Sequence, residues 1–449
     1  MARARATRER AISNAHQILP AGPPLWYGVV VLVIWAFYML VRRMLDFVVG
    51  YQDLNPVTIL PLLAMVPMFL SLLRTGFDRV SMPLRVLAWT WLGVFVLGFV
   101  VAIASGDALS GAFGFGDFLL PMAFALWLST QNLDSERASG IFGTAIVWCA
   151  AVASAYALFQ FAFLPPWDSA WMLNGGANGI GIAKPYELRA FSTLTAPSTY
   201  AAFTACAMLI TLGRLKSNPI VYAAFFVLDG VALALTSERS CWLAFVVGVI
   251  VYLCFSPNRL RIAAGLGLIL LISAAIVSVA AGSMPKVDST IVNLSTRLST
   301  LGDPANDQSV RDRQQQTDDA LEASRERPFG LGVGLFGVAH RLRNDNDVAA
   351  PTWIDNGYLA RLVELGWFGF AGYLAVTLGA LAYTISRWRR CLEQRDALAL
   401  AIAVQFILII LDGSHDHHSA FPGIIFWFTV ALAALAKPPE EAATLKAAG

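Results

Sequence analysis

Three arginines and one aspartate carry the most chemistry in this chain. Arg189 follows Lys184 by five residues, Arg239 sits in "TSERS", and Arg311 opens "RDRQQQTDDALEASRERP". Asp355-Asn356 precede "GYLARLVELGWFGF", which holds Arg361 and Glu364 before it turns apolar. A guanidinium is planar and permanently charged, and its fork matches two oxygens of one phosphate. A carboxylate near a helix start can take a proton from an attacking hydroxyl. Together they describe capture of a phosphate-bearing ligand with a base beside it.

The elements that position these groups must be read from hydropathy. Of 449 residues, 57% are hydrophobic and 14% charged, and the mean hydropathy is +0.62. Soluble proteins carry roughly 25% charged residues. Apolar runs such as 84–104 and 141–164 reach the roughly 20 residues needed to cross a bilayer. The expected fold class is therefore an all-α polytopic membrane protein. Spans are expected near 25–41, 56–73, 84–104, 112–128, 140–163, 194–213, 219–236, 241–255, 261–281, 356–380, 396–412 and 419–436, about twelve in all. The net charge of +2 gives no sign of a nucleic-acid surface, and the five cysteines lack the spacing of a disulfide framework. "MARARATRER" has no short apolar core and cleavage site after it, so it reads as a cytoplasmic tail before an uncleaved first span.

With the N-terminus inside, 18 lysines and arginines fall in inner tails and loops against five in short outer connections. The positive-inside rule supports that orientation, with Arg42-Arg43 at an outer end as the awkward pair. The division is then a tail at 1–24, spans with an outer loop 164–190 over 25–281, a large periplasmic loop 282–354, spans over 355–436, and a tail at 437–449. The large loop carries 18 of the 62 charges, and residues from Ser309 to Pro328 read as a helix outside the membrane. The glycines of "GLGVG" (330–334) are expected to turn the chain tightly back towards the membrane, since no strand precedes them for a nucleotide loop.

Several features admit two readings. Glu238-Arg239 joins two short spans and sits either in a polar cavity or in a tight turn at the water interface. Arg311, Gln315, Asp318 and Glu322 share one helix face, either lining a site or solvated. "DGSHDHHS" (412–419) could bind zinc through three imidazoles, but a solvated turn bordering a site is preferred. "DND" (345–347) mimics an acidic metal motif without a nucleotide-binding fold, so no metal or other cofactor is expected. Three arginines on the outer side of a membrane protein suit a lipid-borne diphosphate.

At this point the residues resemble a family, the bacterial O-antigen ligase and O-antigen polymerase superfamily. "RAFSTLTAPSTYAAF" is similar to its Arg-x-x-Gly-Thr-Phe…Pro-Asn segment, with Arg189 and Pro197 in place and Ser192 where glycine is usual. "LTSERSCWLAFVVG" resembles its Thr-x-Ser-Arg segment at Arg239, with Glu238 in place of serine. Arg311, Pro328, Gly332 and Gly334 match its loop pattern, and Asn356, Leu359, Glu364, Gly366 and Gly369 its His-Asn-x-x-Leu…Glu-x-Gly pattern. Asp355 stands where many members have the histidine that is a candidate for activating the acceptor hydroxyl in ligases.

The resemblance implies a GT-C-like architecture in the bacterial inner membrane, with a site facing the periplasm. It also implies metal-independent, inverting glycosyl transfer from an undecaprenyl-diphosphate-linked oligosaccharide to a glycan acceptor. Arg189, Arg239 and Asp355 are the expected catalytic groups, the arginines facing the leaving diphosphate. Arg311, Asn356, Glu364, His340 and Lys184 are expected to bind substrate. Asp355 is either the base or a cap on the helix starting at Asn356. His340 is the second choice of base, and Glu364 is expected to partner an arginine internally. The departure at 355 favours a repeat-unit polymerase, with a chain-length regulator as a further partner. The alternatives are a ligase acting on lipid A core or protein, and a transporter or lipid flippase, against which no internal repeat is visible.

Overall fold

The computed structural model describes residues 23–52, 55–174, 180–260, 262–267, 308–336, 339 and 354–437. His340, the "DND" stretch and most of the expected span at 261–281 lie outside these residues. The described chain is helical, with one isolated antiparallel bridge between Gly181 and Leu188.

The helices are α1 (Leu25–Val49), α2 (Leu60–Thr75), α3 (Met82–Ala104), α4 (Ala108–Ser129) and α5 (Ser135–Phe163). There follow α6 (Pro166–Asn174), α7 (Pro197–Arg214), α8 (Pro219–Leu235) and α9 (Arg239–Phe255). The last are α10 (Gln308–Glu326), α11 (Gly357–Arg390), α12 (Arg395–Asp412) and α13 (Ala420–Leu435). Several begin with proline in the first turn, where its missing N–H costs nothing. Seven described helices are long and apolar enough to cross a membrane, while α8, α9 and α13 are apolar but shorter. This is a multi-pass, all-α membrane protein.

Almost every side chain of α7, α12 and α13 is buried, so these three form the centre. A helix apolar on all sides needs neighbours on all sides. Around them α4 packs on α13, α9 on α12, α3 on α11, and α8 on α7.

The arginines near the C-terminal end of α1 are enclosed by protein. Arg43 Nη1 lies 3.0 Å from Asp168 Oδ1, its Nη2 donates to the Ser192 carbonyl, and its guanidinium stacks 4.7 Å from the Phe191 ring. Arg42 pairs with Asp46 at 3.3 Å and donates to the Gln52 carbonyl at 2.9 Å. Both basic residues are thus matched by acids.

Lower in the sequence, "GLGVG" docks into a break in α11. Gly366 has φ 65° and interrupts the helix, which frees the carbonyls before it. Leu331 N–H donates to Val363 O at 2.9 Å, Gly332 N–H to Glu364 O at 3.0 Å, and Trp367 N–H to Pro328 O at 3.0 Å. Gly330, Gly332 and Gly334 all have φ between 83° and 98°, and a Cβ on any of them would strike backbone. Non-helical backbone inside a membrane protein persists only when protein satisfies it, as here.

Candidate functional site

Arg189 ends a short loop whose N–H donates to Ile180 O at 2.7 Å. Its Nε donates to the Thr236 carbonyl at 3.0 Å, and its Nη2 pairs with Glu238 Oε1. The side chains stay 22% and 11% exposed, so the pair is only partly closed off. Ser237, with φ 57°, makes the bend, and Arg239 follows as the half-buried first residue of α9. The junction of α8 and α9 is therefore fastened to the loop before α7 through Arg189.

The start of α11 corrects one expectation. Asn356 Oδ1 accepts from Tyr358 N at 2.9 Å and Leu359 N at 3.2 Å, so Asn356 is the cap and the helix starts at Gly357. Asp355 precedes the cap. Its N–H donates to Gln316 Oε1 at 3.0 Å, and its carboxylate lies 3.9 Å from Arg313 Nε.

A second correction follows on α10. Arg311, Gln315, Asp318 and Glu322 are all exposed, whereas Ala320 and Ser324 are buried against the start of α11 and the glycine loop. Two residues on a helix differ by about 200° of rotation, so the arginine turned towards Asp355 is Arg313, not Arg311. Lys184 is exposed on its own turn, away from ion pairs among the described residues.

The histidine turn corrects a third. His417 and His418 are buried, not solvated. Asp412 draws the turn inward by accepting from His417 N at 3.0 Å and facing His418 Nδ1 at 3.3 Å. The His415 and His417 rings stand 6.0 Å apart, and no three potential metal ligands converge among the described residues. Burial lowers the His415 pKa, with the Glu238 and Asp355 carboxylates opposing that shift and Arg313 and Arg189 adding to it. The imidazole is therefore neutral at pH 7 and lies in the combined field of those four groups. Its Nδ1 is buried without a hydrogen bond. Histidine 417 is pushed down to about 3 by burial and by its two histidine neighbours.

Arg361 and Glu364 face the interior, as expected. Arg361 Nη1 lies 2.5 Å from Glu364 Oε2, Nη2 lies 3.3 Å from Asp416, and the guanidinium stacks 4.4 Å from the Phe118 ring. Glu364 Oε1 accepts three successive N–H groups, from Gly334, Leu335 and Phe336, at 3.1, 2.8 and 3.2 Å. Glu364 is thus an internal partner, and it also borders a partly enclosed cavity of about 180 Å³ with Arg361, Asp117 and Asp416.

Arg189, Glu238, Arg313, Asp355 and His415 thus converge from five separate segments. Sequence reasoning missed Arg313, whose choice over Arg311 needs the helix phase, and undervalued His415. It also passed over Asp117, although one carboxylate inside an apolar run was a usable signal. Residues 222–374 match the family model described as O-Antigen ligase. The match begins in α8 and ends in α11, so it takes in Glu238, Arg239, Arg313, Asp355, Arg361 and Glu364. No curated protein matches the chain.

Proposed function

We propose that the chain is a glycosyltransferase of the bacterial inner membrane, with about twelve spans and its site on the periplasmic face. It polymerises oligosaccharide repeat units carried on undecaprenyl diphosphate into O-antigen, capsule or exopolysaccharide. The observation that carries this reading is the meeting of the Arg189–Glu238–Arg239 turn with Asp355, Arg313 and neutral His415, within the family-matched region apart from Arg189 and His415.

A hydroxyl of the acceptor sugar attacks the anomeric carbon of the donor and inverts it. The bond to the lipid diphosphate breaks, and charge grows on the leaving oxygen. Arg239, held at the helix start by the Arg189-fastened turn, stabilises that charge together with Arg189. Asp355 takes the hydroxyl proton, with the Arg313 guanidinium 3.9 Å from its carboxylate. Neither a nucleotide sugar nor a metal enters these steps. The domain boundaries remain those drawn from the sequence.

A second reading has a specific observation in its favour, because the matching family model is described as a ligase. A ligase would share the donor and the arginines and differ in acceptor. A deletion strain decides between them. Loss of a polymerase leaves single repeat units, whereas loss of a ligase leaves long chains on undecaprenyl diphosphate. Complementation with Arg239→Ala at wild-type membrane level should fail to restore the product. Full restoration would end both readings.

A further inference from the structure

We infer that the cavity beside Arg361 is a sugar-binding subsite, which holds the hydroxyl-rich, unphosphorylated end of a glycan. That this glycan is the acceptor rests on the reaction proposed above; that the cavity takes a sugar does not. Its walls come from α1, the turn before α2, α4, α7, α11, α13 and the histidine turn.

The unmatched polar groups of the walls specify the ligand. Thr58, 7% exposed, and Arg361, 2% exposed, line the cavity, and Thr58 Oγ1 and Arg361 Nε have no hydrogen-bond partner. Trp35 Nε1, on another lining residue, is likewise unpartnered. The Asp117 carboxylate makes no hydrogen bond or ion pair among the described residues, while Arg361 and Asp416 act on it through space. Buried polar groups are stable only when a partner is supplied. The missing partner must therefore donate to Asp117 and accept from Arg361, Trp35 or Thr58.

A sugar hydroxyl does both. An acyl chain does neither. A diphosphate only accepts, and it would meet the carboxylates of Asp117, Glu364 and Asp416 against one arginine already engaged by two of them. Trp35, Phe336 and Phe421 add flat apolar wall suited to the C–H face of a pyranose. The position also fits the chemistry. Asp416 lines the cavity, and its neighbour His415 stands in the field of Asp355 and Arg313. A sugar seated on Asp416 would thus lie next to the proposed base and leaving-group cluster.

The test uses the full-length protein in nanodiscs. The probes are the repeat-unit oligosaccharide released from the cells' own surface polysaccharide, and inorganic diphosphate as competitor. Binding is read by saturation-transfer NMR, with membrane level and thermal midpoint matched between variants. The oligosaccharide should bind wild type and Arg239→Ala alike, and inorganic diphosphate should not displace it. Asp117→Asn should weaken binding about tenfold or more, as loss of a charge-assisted hydrogen bond does. Thr58→Val should weaken it by a smaller factor. Equal binding by wild type and Asp117→Asn, displacement by diphosphate, or no binding to wild type would each overturn the proposal. Asp117-dependent binding beside an Arg239→Ala variant that still makes full product would uphold the subsite and sink the proposed reaction.

Discussion

Arginine is used in two opposite ways on the two sides of residues 189–192. Arg43 holds the Ser192 carbonyl from one side, fully buried, with Asp168 as its ion partner. Asp168 in turn accepts from Tyr156 at 2.7 Å and Gln160 at 2.8 Å. Arg189 reaches out from the other side to Thr236 and Glu238 and stays 22% exposed. The first cluster is fully buried; the second is partly exposed. Charge within a membrane protein is often taken as a mark of function. Here burial separates charge that builds the fold from charge that stays within reach of a ligand.

Breaking the buried cluster should have the largest effect. Arg43→Ala strands Asp168 without its cation, and removing one member of a buried pair costs roughly 3–5 kcal/mol. The protein should then accumulate poorly and melt early in detergent, whatever its activity. Wild-type accumulation would dissolve the contrast.

The partly exposed cluster should fail the other way. Arg239→Ala should cost about 10²–10³ in rate, roughly 3–4 kcal/mol of barrier, at a normal melting point and membrane level. A paired measurement sharpens this on α10. Arg313→Ala should reduce product about tenfold, a smaller loss because its side chain is 50% exposed and screened, whereas Arg311→Ala should leave product unchanged. Equal effects from the two would remove the assigned phase of α10.

Acid should strain the histidine turn. Folded His415 and His417 bind protons less readily than the unfolded chain does, because burial lowers both. Their stabilising contribution is therefore present above the ordinary histidine value of about 6.5. It is lost as pH falls from there towards about 3, the His417 value. Melting curves in detergent should show this slope, and His417→Gln should flatten it.

The smallest effect expected is at Ser192, whose φ of 51° lies in the left-handed region. Its Oγ donates to Ala153 O at 2.5 Å, and Gln160 Oε1 accepts its N–H at 2.8 Å. Ser192→Gly trades that bond for relief of backbone strain, so stability should move by less than about 1 kcal/mol. A large loss would mean that the hydroxyl, not the backbone, holds this bend.

Hydropathy made the helices legible, because a bilayer demands long apolar runs, and the large charged loop stood out by contrast. Arg239 and Asp355 were legible as charges at or beside helix starts, Arg189 as a charge in a loop, and Glu364 as an internal partner. What hydropathy leaves open is rotation and reach. Arg311 and Arg313 are equivalent in composition, and only the packing of Ala320 against α11 chooses between them. Asp355 and Asn356 are both good caps, and the choice falls to the residue whose oxygen meets two N–H groups. The histidines look like a solvated turn until Asp412 draws them inward. In each case a contact between distant segments decides, and no local pattern contains it.

Glu364 joins two parts of the molecule that could otherwise move separately. One oxygen holds the amides of Gly334, Leu335 and Phe336, while the other faces Arg361, which reaches on to Asp416 at the cavity. A ligand that competes for Arg361 must therefore change how tightly the glycine loop is held, and the loop must change ligand affinity by the same factor. Hydrogen exchange at those three amides, with and without glycan, would read that linkage directly; identical exchange would show the two parts to be uncoupled. The short ion pair makes the loop a gauge of what occupies the cavity.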